Sequence, residues 1–284
     1  AAAAPAPAGR VSDACEVRFG MKSGANAFFH LRPLGGDRFA SALAGEVRLE
    51  PGDARPILRT LKEAEAPERF ATRAALFRPE RLGPRAAAYV ARGEAAGVHL
   101  RPTCAGRSPW WHVAPGRSPA PVLYPAKVGA RAFAVVNAAG VWEDKKWHAL
   151  FPRGELPPWL LALALSATPV RLAVDLAARQ LTGAQAIADV DCRVLAAAHF
   201  PAPRALARLG RRLAPCRAAL ARDPVTTDLA AVLARPAQRE LDRVVGEAMG
   251  LGGRAVEAAR RDLLERVGAR LAHAGDVRRR LAAG

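Results

Sequence analysis

The amino-acid sequence predicts an α+β fold: a β-rich first part interrupted by one helix, then a helical C-terminal region. Two patterns predict it. From Cys15 to about Asn137, short apolar stretches are punctuated by Gly and Pro, as in short strands joined by turns. Beyond Pro203 the apolar residues recur at helical spacing instead, as in amphipathic helices packed on a core.

Residues Ala1–Ser12 read as a flexible lead-in. This Ala-Pro tract lacks the basic start and apolar core of a signal peptide, and without an initial methionine it suggests a linker remnant from a longer polypeptide. Strands are expected at Glu16–Phe19, Phe28–Leu31, Glu46–Leu49, Arg69–Phe77, Val122–Lys127 and Arg131–Val136. A helix is expected at Pro84–Ala95, because Pro84 suits a first turn and Gly97 a stop. Further helices follow at Trp159–Ala167, Val170–Arg179, Ala205–Leu213, Cys216–Arg222, Gln238–Met249 and Gly253–His273. In the last, Val256, Leu263, Leu264, Val267 and Leu271 share one face, with Arg260, Arg261, Glu265 and Arg270 mostly elsewhere. The expected units are a lead-in at 1–12, a first domain at 13–202 and a helical region at 203–284.

Composition narrows the partners. The chain has 284 residues, 51% hydrophobic and 24% charged, an ordinary globular mixture. With 43 Lys and Arg against 26 Asp and Glu, the formal net charge is +17, which attracts polyanions and makes nucleic acid the default partner. A merely solvated arginine-rich surface is the alternative. Cys15, Cys104, Cys192 and Cys216 form no C-x-x-C pair and, with scattered histidines, no zinc spacing. Free thiols in a reducing cytoplasm are expected, and no metal site. The longest apolar run, Trp159–Ala167, is too short to span a bilayer, so no membrane is expected.

Val17–Leu31 carries the most chemistry. An apolar strand-like stretch runs into Gly20; then Lys22, Ser23 and Asn26 surround Gly24, and an aromatic pair follows. Glycines let a backbone approach a phosphate while a cation and hydrogen-bonding groups face it. Lys22 suits a phosphate. Ser23 and Asn26 suit a phosphate or a base edge, although Asn26 serves equally well as a turn residue bonding its own backbone. Phe28 and Phe29, read on a strand, point to opposite faces. Arg101 and Arg107 flank a second loop and have the reach to enter a groove, surface ion pairing being the alternative. Trp110 and Trp111, read on a strand, would leave one ring buried and the other, taken as Trp111, able to stack on a base or sugar. Lys127, Lys145 and Lys146 fit the same basic surface as phosphate contacts.

These residues also carry a family resemblance. Gly20–Leu31, G-M-K-S-G-A-N-A-F-F-H-L, resembles the G-[IM]-K-[ST]-G-A-N-x-F-F-x-L signature that opens the target-recognition domain of many adenine-specific DNA methyltransferases of restriction-modification and phage-defence systems. Gly97–Arg107 followed by Trp110-Trp111 is similar to that family's arginine loop before a W-[WY] pair. Arg131–Phe151 is similar to its R-x-x-v-x-x-N-x-x-x-v-x-D-k-x-[FY]-x-l block, with Trp147 in place of Tyr or Phe. Leu160–Ser166 resembles its LLA-x-L-N-S helix, Ala177–Ala186 its glycine-rich turn less one glycine, and Arg239–Gly250 its helical tail R-x-x-L-D-x-x-V-x-x-x-L-G.

The resemblance implies duplex DNA as a partner and an N-terminal methyltransferase catalytic domain, in cis or in trans, that holds S-adenosylmethionine. No cofactor is expected in this chain. The Asn/Asp/Ser-Pro-Pro-aromatic tetrapeptide that holds a flipped base does not occur in it; Arg222-Asp223-Pro224-Val225 is the nearest text. Gly250-Leu251-Gly252-Gly253 follows a predicted helix, so it reads as a linker instead of a cofactor turn. No catalytic residue is therefore assigned. Three other readings stay open: a stand-alone DNA specificity subunit acting in trans, a general RNA-binding protein, and a magnesium-dependent nuclease built on Glu143-Asp144-Lys145. The nuclease would need an upstream acid such as Asp37 or Asp53 on a neighbouring strand.

Overall fold

Short apolar stretches punctuated by Gly and Pro build two larger sheets and three small ones, seen in a computed structural model that describes residues 9–114, 116–181, 184–223 and 226–283. Residues 1–8 of the expected lead-in, Thr182 and Gly183 of the expected glycine-rich turn, and Pro224-Val225 lie outside these residues. The first sheet has six strands, in the order Trp142–Glu143, Ala54–Leu58, Ala74–Phe77, His30–Gly35, Arg38–Ser41 and Gly45–Arg48. Every neighbour is antiparallel except Trp142–Glu143, which runs parallel to Ala54–Leu58. The helix Pro84–Ala95 belongs to the same core, and Tyr89 on it stacks on Phe28 with ring centroids 4.4 Å apart. The Tyr89 hydroxyl donates to the Phe28 carbonyl at 2.6 Å, so the buried ring leaves no polar atom unpaired.

The second sheet is antiparallel, in the order Val135–Val136, Val122–Pro125, Trp147–Pro152 and Cys15–Phe19. It shares a core with the helix Pro158–Ser166, which is apolar all round because the sheet covers one side and the helices Pro203–Arg208, Gly210–Arg222 and Pro236–Ala248 the other. Each fully buried leucine there contributes roughly 2 kcal/mol. Leu206, Leu213 and Leu241 therefore lie in the same core as Val122 and Leu150. Helices beyond the expected boundary at 203 thus share a core with the second sheet, while Leu229, Leu233, Leu263 and Val267 form a smaller cluster of their own. No single helix among the described residues is long and apolar enough to cross a membrane.

A buried polar hub fastens the helical region. Asp242 accepts from the Thr168 backbone N–H and hydroxyl, both at 2.7 Å, and from Gln238 Nε2 at 2.8 Å. It also pairs with the guanidinium of Arg260. It thus satisfies the start of the helix Thr168–Ala177 from 74 residues away. Arg260, expected mostly away from the apolar face of the last helix, is buried. Leu264 and Leu271, expected on that face, are exposed. The charge on Asp242 draws Arg260 inward.

Several elements depart from expectation. Gly9–Arg10 of the expected lead-in pairs antiparallel with His199–Phe200, and Val11 is fully buried, so the end of that segment is anchored. Phe28–Leu31 is not one strand: Asn26–Phe29 makes a helical turn before the strand His30–Gly35. Both phenylalanines consequently face inward, with ring centroids 4.9 Å apart. Arg69–Phe77 splits into Arg69–Phe70 and Ala74–Phe77, because the chain bends around Glu63, whose carboxylate accepts from Arg73 N–H at 3.3 Å. Val122–Lys127 likewise splits, with Lys127–Val128 joining another small sheet.

Candidate nucleic-acid interface

The two glycines of the Gly20–Leu31 stretch are demanded by packing. A side chain on Gly20 would meet the carbonyl oxygens of Asp144 and Trp147 at 2.3 and 2.5 Å. Gly20 N–H donates to Trp147 O at 2.9 Å and Met21 N–H to Glu143 O at 3.1 Å, so the backbone is sewn to the neighbouring strands. Gly24 has φ +85°, and a Cβ there would lie 2.7 Å from the Thr103 side chain. Only glycine satisfies both conditions.

That contact joins the two loops expected from sequence to carry recognition. The loop Lys22–Asn26 rests on the turn Pro102–Ala105: Cys104 Sγ approaches the Ser23 carbonyl at 3.8 Å, and the Arg107 guanidinium donates to the Lys22 carbonyl at 2.6 Å. Arg107 also lies 5.6 Å from the Phe29 ring centre, and burial lowers its pKa. It is a clamp between loops, not a free arm for a groove. Ser23 is corrected too: it is buried, and its hydroxyl donates to Asn26 Oδ1 at 2.5 Å while accepting from Ala25 N–H at 3.3 Å. A local turn consumes the Ser23 hydroxyl and the Asn26 side-chain oxygen.

Lys22, Asn26 and Arg101 remain exposed on the joined loops. The Lys22 and Arg101 side chains have no ion-pair partner among the described residues. Several other arginines are engaged: Arg38 with Glu46 at 2.8 Å, Arg85 with Asp37 at 2.7 Å, Arg217 with Glu68 at 2.5 Å. The expected tryptophan strand is a turn. Trp110 wedges against Phe28 at 5.2 Å and donates from Nε1 to Glu94 at 3.0 Å, while Trp111 is half-buried beside His112 at 5.8 Å.

Lys127, Lys145 and Lys146 are brought together along an open cleft of about 840 Å³. The Ala126 N–H donates to the Lys146 carbonyl at 2.8 Å, which holds Lys127 beside the Lys145-Lys146 turn. Beneath them His148 Nε2 donates to Val190 O at 2.8 Å, and its Nδ1 accepts a hydrogen bond from the Cys192 thiol at 3.1 Å. Burial lowers the His148 pKa and pushes the Cys192 thiol up to about 11, so this pair is a neutral floor and not a nucleophile. Phe19 on the cleft wall was not singled out from sequence. It ends an alternating strand, yet it is 59% exposed. Leu100, 72% exposed next to Arg101, was likewise missed. An exposed apolar residue at a strand or turn end carries no pattern that marks it.

The acids invoked for a nuclease are otherwise employed. Glu143 is fully buried and accepts from Arg117 Nη2 at 3.2 Å; Asp144 faces His30 at 3.6 Å. Asp37 pairs with Arg85, and Asp53 accepts from Glu50 N–H at 3.1 Å. Among the described residues no group of three or more His, Cys, Asp or Glu is arranged to hold a metal ion. Gly250–Gly253 joins the helices Pro236–Ala248 and Gly253–Ala283, so no strand leads into it.

The family described as "Type II methyltransferase M.Eco57I, C-terminal domain" matches residues 2–183, more than half of the chain. The fold is similar to the type IIL restriction-modification enzyme MmeI, solved in complex with DNA, with a TM-score of 0.52, 12% identity and 95% of this chain covered. The chain spans 38% of the length of that MmeI chain. The type IIG restriction endonuclease BpuSI aligns at a TM-score of 0.44 and 14% identity, over 85% of this chain and 31% of its own. No curated protein sequence matches. The loops joined at Gly24 and Arg107 lie within the matched residues, and this chain belongs to the family of M.Eco57I-type methyltransferase C-terminal domains.

Proposed function

We propose that this chain is the target-recognition part of an adenine-specific, S-adenosylmethionine-dependent DNA methyltransferase of a restriction-modification or phage-defence system, acting in the cytoplasm on duplex DNA. The observation that carries the reading is the pairing of the two loops. Gly24 and Arg107 lock Lys22–Asn26 onto Arg101–Arg107, leaving Lys22, Asn26 and Arg101 as the exposed polar groups of one rigid edge. Rigid presentation matters because base reading requires side chains held in register with the groove. Lys22 supplies a phosphate contact and sets register. Arg101 reads a base edge, guanine being the commonest partner of arginine. The side-chain Oδ1 of Asn26 already accepts from Ser23. Its remaining amide N–H groups serve as donors to a base or phosphate.

Family membership supports the methyltransferase context, and the MmeI complex with DNA supports a nucleic-acid partner. The methyl donor and the flipped adenine belong to a separate catalytic domain in this reading, since the sequence lacks the base-holding tetrapeptide and Gly250–Gly253 follows a helix instead of a strand. Selection from a randomised duplex library, with the chain alone and joined to a catalytic domain, tests it. Enrichment of one adenine-containing site, sharpened by the catalytic domain, is expected. Binding with no enriched site contradicts it.

A further inference from the structure

The cleft beside the loops is more than a basic strip. Its three lysines, Lys127, Lys145 and Lys146, have no ion-pair partner among the described residues. The acids that share the lining are committed: Asp189 pairs with Arg179 at 2.6 Å, and Asp191 accepts from Arg193 N–H at 2.8 Å. With Arg179, four cations line the cleft against the two carboxylates, so its net charge is positive. Its walls, however, are largely apolar, with Phe19, Leu61 and Val194 among them. Phosphate contacts alone require cations and no apolar wall. A nucleotide requires both, because its base presents a planar apolar face and its phosphate a charge. The volume also suits one such unit better than a duplex, which is too wide to enter a cleft of this size.

We propose that this cleft takes one unstacked nucleotide of the bound DNA, with its base against the Phe19 ring and its phosphates facing Lys127, Lys145 and Lys146. The idea rests on the DNA-recognition reading above and adds a second, aromatic contact to it. Phe19 sits three residues before Lys22 on the same stretch of backbone. Its position is set by Arg117, which donates to the Phe19 carbonyl at 3.0 Å and pairs with buried Glu143 at 3.2 Å. The ring itself lies 5.9 Å from His148 and keeps an open face.

The test uses the full chain and three DNAs: a paired duplex, the same duplex with one extrahelical 2-aminopurine, and the single strand. Binding should quench the 2-aminopurine. Phe19→Ala should abolish the quenching and weaken binding of the bulged duplex on the order of tenfold, with the paired duplex changed less than about twofold. Phe19→Tyr should behave like the parent chain. The ring is exposed, so these changes leave the core intact. Lys145→Ala and Lys146→Ala should flatten the salt dependence for the bulged duplex. Bulged duplex bound without quenching, or quenching that survives Phe19→Ala, overturns this inference alone. Failure to bind any of the DNAs overturns the recognition reading with it. Displacement of the bulged duplex by an acidic peptide, with quenching insensitive to Phe19, would assign the cleft to an acidic protein partner instead.

Discussion

The Arg107 guanidinium donates to the Lys22 backbone carbonyl at 2.6 Å, across 85 residues of sequence. One guanidinium thereby orients the loop from which Lys22 reaches out. Arg107→Ala should release that loop, removing a charged hydrogen bond worth about 1.5–3 kcal/mol if fully sheltered, and less here because Arg107 is only partly buried. The expected result is weaker binding to a matched duplex and a smaller gap between matched and mismatched sites, since the same lock holds Arg101 and Asn26 in register. Binding isotherms on a matched and a mismatched site check it, and an equal loss on both would contradict the clamp role.

Gly24→Ala should disconnect the same loops from the other side. The added carbon meets Thr103 at 2.7 Å, in a backbone conformation with φ +85° that alanine resists. A destabilisation on the order of 1–3 kcal/mol is expected. Adding Thr103→Gly should recover the steric part and not the conformational part. Denaturant melts of the two variants read this directly, and an unshifted midpoint for Gly24→Ala would argue against the contact.

Asp242→Ala should leave the buried Arg260 charge unpaired and the start of Thr168–Ala177 uncapped. Loss of a buried partner costs about 3–5 kcal/mol. Arg260→Ala strands the carboxylate in the same way. The double variant should therefore be far less unstable than the sum of the singles, the coupling expected of one network. Additive losses in urea melts would show that the two residues act independently.

Acid should loosen the first core through His30. Burial, followed by the nearby Arg59 and Lys146 charges, lowers its pKa from 6.5 to about 4, so the 3.6 Å approach to Asp144 is not an ion pair at neutral pH. The unfolded chain takes up this proton near pH 6.5 and the folded chain only near 4. The stability is intact above pH 6.5 and is lost progressively as pH falls toward 4, by at most about 3 kcal/mol. Burial raises Asp144 in turn, which acts in the opposite sense. Melting temperature against pH should slope less in His30→Asn than in the parent, the remaining slope coming from His148, whose pKa burial also lowers. An identical slope would rule His30 out.

Legibility from sequence followed local physics. Pro84–Ala95 was readable because Pro84 and Gly97 mark its ends, and the structure places the helix there. The Lys22–Asn26 loop stood out because glycines bracket a lysine and a hydroxyl, and an amide-bearing residue follows within a few positions. Four things were not readable. Phe28-Phe29 looked like a strand because aromatic residues favour one, whereas the Ser23–Asn26 hydrogen bond starts a helical turn instead. Ala54–Leu58 was hidden by Pro56, which is tolerated because the parallel pairing with Trp142–Glu143 begins only at Ile57. Trp147–Pro152 shows no alternation, since most of its side chains are buried in a sheet covered on both faces. The role of Arg107 depends on a partner 85 residues away, beyond the reach of local pattern.

Parallel selection from a randomised duplex library with the parent chain, Lys22→Ala and Arg101→Ala, each followed by salt titration on the enriched site, tests the central claim most directly. Lys22→Ala should keep the enriched site and reduce the salt slope by about one, whereas Arg101→Ala should lose preference at a defined base pair, at a penalty of about 1–3 kcal/mol. Should Arg101→Ala enrich the parent site unchanged while Lys22→Ala alters it, the joined loops do not divide recognition in this way.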